Sequence, residues 1–262
     1  MPRTDCRGCE SDNLKIFLDL GKIPLAGGFL SNTAAIKKEN LYPLPIHVCH
    51  NCGLVQILEA IDPEILFQDY SFSSSTIGPL VQHFENYAKW LNDKLAPEFV
   101  VEFGCNDGIL LKPLEQLGVK TCGVDVSENI TQIARDNGLD VFTGYFDETV
   151  AESIKQRLGR ADVITGSNAF AHNDKPEKIL KAAKLILKPE GYLCLEVMYA
   201  GDLLDMLQWD TLYHEHLTFY CLTTFAVLLK RFGFNVVEAE RIPMHGGSLR
   251  IVATQNPNQT PN

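Results

Sequence analysis

The densest chemistry in the chain lies in Leu212-Tyr213-His214-Glu215-His216-Leu217-Thr218-Phe219-Tyr220. Tyr213 to His216 are titratable side chains in a row, and such a run builds a core badly because each buried polar group needs a partner. Three uses suit it: a metal site, an acid–base site or a solvated loop. His214 and His216 are two positions apart, whereas paired ligands on a zincin helix are four apart. A strand would put both imidazoles on one face, but no third ligand is near in sequence. A solvated loop is the plain reading of polar residues between elements. Acid–base work suits histidine because its unperturbed pKa lies near neutrality.

A second stretch points to a ligand. Val100-Val101-Glu102-Phe103 is an apolar run broken by a carboxylate, and Gly104 and Gly108 then bracket Cys105-Asn106-Asp107. Ile109 to Leu117 reads as an amphipathic helix. Strand, glycine turn and helix make the first half of a nucleotide-binding βαβ unit. Gly104 lets the backbone approach a ligand where a Cβ would not fit. The third glycine of the dinucleotide fingerprint is absent, and so is the Lys-Ser/Thr of a P-loop. The turn resembles motif I of the class I S-adenosylmethionine (SAM) methyltransferases. That resemblance assigns Glu102, Gly104, Asn106 and Asp107 to the cofactor, together with Asp125 and Val126 at the end of the next strand.

Asp125 follows the turn by about twenty residues, where an acid can accept from both ribose hydroxyls. It could instead cap the helix that opens at Ser127-Glu128-Asn129. In Gly144-Tyr145-Phe146-Asp147, Phe146 either stacks on the adenine or belongs to the core. Ala161 to Thr165 reads as a strand delivering Gly166-Ser167-Asn168-Ala169-Phe170-Ala171-His172-Asn173 to the carboxyl edge of the sheet. Open α/β sheets bind ligands there, so Asn168 is expected to face the cofactor and His172 the substrate.

Four of the eight cysteines form two spaced pairs, Cys6-Arg7-Gly8-Cys9 and Cys49-His50-Asn51-Cys52. Two such pairs close a tetrahedral zinc site. With four sulfurs no position remains for water, so a zinc ion on Cys6, Cys9, Cys49 and Cys52 is structural. Two unrelated pairs of free thiols are the alternative. His47 and His50 flank the second pair as competing ligands or as exposed side chains.

Between and beyond the pairs run Leu20-Gly21-Lys22-Ile23-Pro24-Leu25-Ala26-Gly27-Gly28-Phe29-Leu30, Tyr42-Pro43-Leu44-Pro45-Ile46-His47-Val48 and Gly53-Leu54-Val55-Gln56-Ile57. A four-cysteine module with these phrases, followed by a SAM fold, resembles the sugar C-methyltransferases that act on nucleotide-linked deoxysugars. The likeness runs through nearly the whole chain. It implies that Tyr-His-Glu-His is the active-site signature, with His216 as base and Tyr213 and Glu215 as its partners. His172 and Tyr70 would join from other loops. It further implies SAM as methyl donor and a dTDP-like nucleotide-sugar as substrate, methylated at C-3 beside a 4-keto group. The ketone makes that C–H acidic, because the carbanion becomes an enolate. An O- or N-methyltransferase on another metabolite is the alternative, as is a non-catalytic SAM- and zinc-binding module. Relatives of this kind usually carry a further C-terminal α/β domain. Here the sequence stops soon after His245-Gly246-Gly247-Ser248-Leu249-Arg250, which implies a missing C-terminal domain or a partner chain.

These residues need a scaffold. The chain has 262 residues, 45% hydrophobic and 21% charged, enough for a sizeable core. A formal net charge of -10 argues against a nucleic-acid partner. The N-terminus has no apolar signal region and no run is long enough to span a bilayer, so no membrane partner and a cytoplasmic location are expected. The expected fold is α/β: a class I SAM methyltransferase, Rossmann-like with a seven-stranded sheet, preceded by a small zinc-binding module. The expected divisions are a zinc module over 1–70, a lid loop and connecting helix over 71–97, the SAM domain over 98–254 and a polar tail without fixed structure over 255–262. Leu80, Val81, Phe84, Tyr87, Ala88 and Leu91 fall at helical spacing from Gly78 to Leu95.

Overall fold

The structure, a computed structural model, describes residues 3–27, 30, 33–62, 65–66 and 72–259. In chain order the first part supplies β1 (Leu14–Ile23), β2 (Tyr42–Cys49), β3 (Val55–Ile57) and helix α1 (Gly78–Leu95). Strands and helices then alternate: β4 (Phe99–Phe103), α2 (Leu111–Gln116), β5 (Lys120–Asp125), α3 (Glu128–Asp136), β6 (Val141–Thr143) and α4 (Glu148–Leu158). The last part holds β7 (Ala161–Ser167), α5 (Pro176–Ile186), β8 (Leu187–Met198), α6 (Ala200–Asp205), β9 (Thr218–Phe219), α7 (Leu222–Arg231), β10 (Asn235–Ile242) and β11 (Ser248–Thr254).

The main sheet has seven strands in the order β10-β11-β8-β7-β4-β5-β6, as the α/β pattern predicts. Every residue of β4 is buried, which is the signature of a parallel strand covered on both faces. β4 pairs in parallel with β5 and β7, and β8 in parallel with β7. β11 runs antiparallel to both β8 and β10. The chain leaves β4 toward β5 and β6, then crosses back to β7 on the other side. That reversal opens a crevice at the carboxyl ends of β4, β5 and β7.

Helix α1 forms where the periodicity places it. Leu80, Phe84, Tyr87, Ala88 and Leu91 bury one stripe against Val100, Val163 and Val252 of the sheet. Each such side chain contributes about 1.5–3 kcal/mol on full burial. The helix ends at Ala96, left-handed with φ 44°, before Pro97. Two expectations need correction. The helix after the glycine turn begins at Leu111 rather than Ile109, because Asn106 and Gly108 take φ of 50° and 84° and wind an extra turn first. The tail is ordered over 255–259: Asn256 bonds Glu190 and Gln259 bonds the Tyr192 hydroxyl.

A second sheet has the order β1-β2-β3-β9. Its last strand comes from residues 218–219, directly beyond His216, with Val55 opposite Phe219 and Gln56 opposite Thr218. Cys6, Cys49 and Leu54 share one apolar cluster with Tyr220 and Phe225 of the other half. Among the described residues no helix is long and apolar enough to cross a membrane.

Candidate active site

A cavity of about 1290 Å³ opens at the carboxyl edge of the main sheet. Gly104, Asn106, Asp125, Val126, Phe146 and Asn168 line one end, and His172, Tyr213, His216 and His245 line the other.

The glycine turn is built by close packing. Gly104 has φ 66°, and a Cβ on it would stand 2.3 Å from the Ala169 Cβ. Asp125 Oδ2 accepts from the Asn106 backbone N–H at 3.0 Å, and Oδ1 accepts from the Ser127 N–H at 3.0 Å. Ser127, not Asp125, is the N-cap of α3. The carboxylate therefore joins the turn to the start of that helix. Burial raises its pKa, against the pull of those backbone donors.

Asn106 and Asp107 point their side chains away from the glycine turn. Both were expected to address the cofactor, yet their side chains turn to the connecting segment before α1. Asn106 Oδ1 accepts from the Ser74 N–H at 2.9 Å, and its amide donates to the Phe72 carbonyl at 3.0 Å. Asp107 Oδ2 accepts from the Ser73 hydroxyl, the Ser75 N–H and the Ser75 hydroxyl. Asn106 still lies on the cavity wall; Asp107 does not. Glu102 is also off the wall, fully buried beneath the turn, with Oε2 unpartnered among the described residues. Burial, then the charges of Asp125, Glu196 and Asp107, raise its pKa well above the ordinary range.

Phe146 stacks on Phe103 at 5.6 Å within the core and also lines the cavity. Asn168 holds a left-handed φ of 53°, which Asn tolerates better than most residues. Its Oδ1 and the Ser167 Oγ are buried on the cavity wall without partners among the described residues. Buried polar atoms are normally satisfied, so these two fit a polar ligand.

At the other end, His216 Nδ1 lies 2.7 Å from the Thr211 carbonyl oxygen. A carbonyl only accepts, so Nδ1 carries the proton and Nε2 keeps its lone pair. The Tyr213 ring centroid is 3.9 Å from that of His216, and the His172 centroid is 5.0 Å away. Burial, then the neighbouring His172, push the His216 pKa down to about 3. Burial pushes His172 down to about 4 and Tyr213 up to about 12. Both imidazoles are thus neutral at physiological pH.

Glu215 is placed differently from the expectation that it partners His216. Its Oε2 stands 4.0 Å from His172 Nδ1, and burial raises its pKa. His214 turns away toward β2, with Nε2 at 3.3 Å from the Tyr42 carbonyl. Tyr70 lies outside the described residues.

His245 is a cavity residue that the sequence reading did not single out. His245, Gly246 and Gly247 all have positive φ. The loop is tied by bonds from Tyr199 N–H to the Gly247 carbonyl and from the Gln208 amide to the Gly246 carbonyl. The Gly-Gly pair was the available signal. Below it, His83 Nε2 meets Glu196 Oε2 at 2.9 Å, and Arg250 reaches Glu196 Oε1 at 2.7 Å. Nothing local in the helical pattern of α1 marks His83 for that contact.

The four expected metal ligands come together. The sulfurs of Cys6, Cys9, Cys49 and Cys52 all lie within 4.8 Å of one another. Cys6 to Cys52 and Cys9 to Cys49 are each 3.6 Å. A zinc tetrahedron with bonds of about 2.3 Å has edges of about 3.8 Å, so the thiols fit the ion. The Gly8 N–H and the amides of Gln56 and Asn51 donate to these sulfurs, as suits thiolates. No cysteine is in a disulfide.

Comparisons agree with this architecture. Residues 81–239 match the family described as "Methyltransferase domain", and residues 6–67 the family described as "Putative zinc binding domain". The C-methyltransferase NovU of Streptomyces niveus is 32% identical over 255 residues, 96% of this chain and 61% of NovU. The chain thus spans about three-fifths of that relative's length. A ubiquinone biosynthesis O-methyltransferase of Bordetella avium is 30% identical over 96 residues, 36% of this chain and 40% of that protein. Magnesium protoporphyrin IX methyltransferase from Synechocystis, solved with bound SAH, gives a TM-score of 0.53 at 17% identity, covering 67% of this chain and 83% of its own. At that identity the likeness speaks for the fold. The chain belongs to the methyltransferase domain family: residues 81–239 match that family within a class I SAM methyltransferase fold, and the segment before them matches a domain described as zinc-binding and gathers four cysteines that fit the ion.

Proposed function

We propose that this protein is a SAM-dependent C-methyltransferase that methylates a carbon beside a ketone, at C-3 of a nucleotide-linked 4-keto-deoxysugar. One observation carries the reading: burial keeps His216 neutral and the Thr211 carbonyl holds the proton on Nδ1, which leaves Nε2 the lone pair in a residue that lines one chamber with Tyr213 and His172. The extended similarity to a C-methyltransferase supports transfer to carbon.

Bound SAM supplies an electrophilic methyl group on its sulfonium. The residues that would hold it are the Gly104 turn, Asp125 and Val126 at the ribose, Phe146 at the adenine, and Ser167 and Asn168 with their unpartnered oxygens. Asp125 retains lone pairs beyond those given to Asn106 and Ser127, so it can also accept from hydroxyls.

His216 Nε2 takes the C-3 proton of the substrate. The C–H electron pair becomes the enolate double bond, and the carbonyl electrons move to the C-4 oxygen. Tyr213 or His172 donates a hydrogen bond to that oxygen, which matters most as its charge develops. The low pKa of His216 makes it ready to accept but a weak base, so donors to the enolate must supply much of the driving force. Glu215 beside His172 Nδ1 favours the proton on that nitrogen, so a neutral His172 donates from Nδ1 and its far nitrogen accepts. The new C–C bond would form from the enolate carbon to the methyl as the methyl–sulfur bond breaks, with its electron pair leaving on the thioether of S-adenosylhomocysteine and the C-4 carbonyl re-forming.

Exchange in D2O tests this reading. With a dTDP-4-keto sugar and an inert SAM analogue, the protein should wash deuterium into C-3, and His216→Ala should not. Sugar binding is measured alongside. Tight binding and methyl on carbon without exchange would overturn the enolate route, and an O–CH3 or N–CH3 signal by NMR would move the protein to another substrate class.

A further inference from the structure

The first cysteine knuckle contains a charge that zinc binding alone does not require. Arg7, between ligands Cys6 and Cys9, is 1% exposed. Its Nη1 donates to the Ile57 carbonyl at 2.6 Å and its Nη2 to Asp174 Oδ1 at 2.7 Å. Nε reaches the Asp174 carbonyl at 3.3 Å. Asp174 lies in the loop that carries His172. The Ile57 N–H donates to the Leu217 carbonyl at 2.9 Å, one residue past His216. The Leu217 N–H closes the circuit on the Ala171 carbonyl, one residue before His172, at 3.0 Å.

Gln56 joins the same lattice. It is fully buried, its Nε2 donates to Cys6 Sγ at 3.1 Å, and its Oε1 accepts from the Arg7 N–H at 3.1 Å. On β3 it lies opposite Thr218. From the Cys6 sulfur to the backbone on either side of His172 and just after His216, each link is a hydrogen bond or a covalent step. A buried guanidinium is a poor choice for stability alone, since apolar residues of similar volume often do as well or better. Its planar fork suits it to fix several acceptors in one geometry.

We propose that Arg7 and Gln56 are positioning residues that transmit the geometry of the zinc knuckle to His172 and His216, so that zinc occupancy is felt in the catalytic chamber. This rests on the acid–base role given above to His216, but its first readout does not.

The test uses the zinc-loaded full chain and three variants. Arg7→Met removes the fork at similar volume, Arg7→Lys keeps the charge, and Asp174→Asn leaves the knuckle intact. Zinc content, SAM affinity by calorimetry and histidine ring signals by NMR are measured without substrate. His172 and His216 signals are assigned by substitution to Gln. Zinc and SAM binding should hold while both signals move in Arg7→Met and Asp174→Asn and the His83 signal stays, with Arg7→Lys intermediate. With substrate, kcat should fall by roughly tenfold or more with little change in KM, the signature of displaced groups rather than lost binding. If Arg7→Met loses its zinc or its fold, Asp174→Asn decides. Unmoved His172 and His216 signals in a zinc-loaded Asp174→Asn would overturn the proposal. Full activity in His216→Ala would instead sink the base assignment and leave the ring-signal result standing.

Discussion

The Nδ1 of His216 stands 2.7 Å from the carbonyl oxygen of Thr211. That contact decides which nitrogen carries the proton and which keeps a lone pair. His216→Ala should keep SAM binding and lose methyl transfer by a factor on the order of 10²–10⁴, typical for loss of a general base. Tyr213→Phe should lose less, since it removes a donor but leaves the base. Single-turnover rates with binding measured separately check both.

Stability should fall with acid through these same imidazoles. The ordinary histidine value is 6.5, and burial lowers His172 to about 4 and His216 to about 3. Between 6.5 and those values the unfolded chain binds protons that the folded chain refuses. Stability is therefore full above about pH 6.5 and lost as pH falls toward 3–4, by up to roughly 1.4 kcal/mol per pH unit for each group. In thermal melts from pH 7 to pH 4, a His172→Asn/His216→Asn double variant should show a shallower decline than wild type. An equal slope in both would contradict the shifts.

Two acids beside the glycine turn should fail in different ways. Asp125 lines the cavity, whereas Asp107 grips Ser73 and Ser75. Asp125→Ala should weaken SAM binding by roughly 1–3 kcal/mol, the loss of a charged hydrogen bond. Asp107→Ala should first loosen the segment before α1, visible as faster hydrogen exchange at the Ser75 amide. Calorimetry and exchange on both variants separate the two roles.

Metal analysis should give about one zinc per chain, as a closed site of four thiolates requires. Because Cys6 and Cys49 sit in the cluster with Tyr220 and Phe225, chelation should lower the melting temperature of the whole molecule. A Cys49→Ser variant should lose both zinc and stability. Unchanged melting after complete zinc removal would show that the thiols are not a structural site.

The parts legible in sequence were those set by local geometry. Helical spacing marked the buried stripe of α1 from Leu80 to Leu91, and the structure has it over the expected span. The two-residue gap within each cysteine pair fixes where two sulfurs can meet, and all four do. The glycine turn announced a close approach to a ligand; the neighbour the structure places there is Ala169, whose Cβ would stand 2.3 Å from a Cβ on Gly104. The rest depended on contacts between distant segments, which no local period encodes. Arg7 and Asp174 are 167 positions apart, and no pattern around either names the other. Glu215 adjoins His216 in sequence but faces His172 in space, because the chain turns between Tyr213 and His216. Asn106 and Asp107 face the segment before α1 for a related reason: the turn's backbone conformation, not its residue types, sets where their side chains go. The sequence by itself determined which groups can do chemistry and where the ligand edge lies. Tertiary structure decided their partners, since side-chain direction and long-range pairing follow from how the two sheets close on each other.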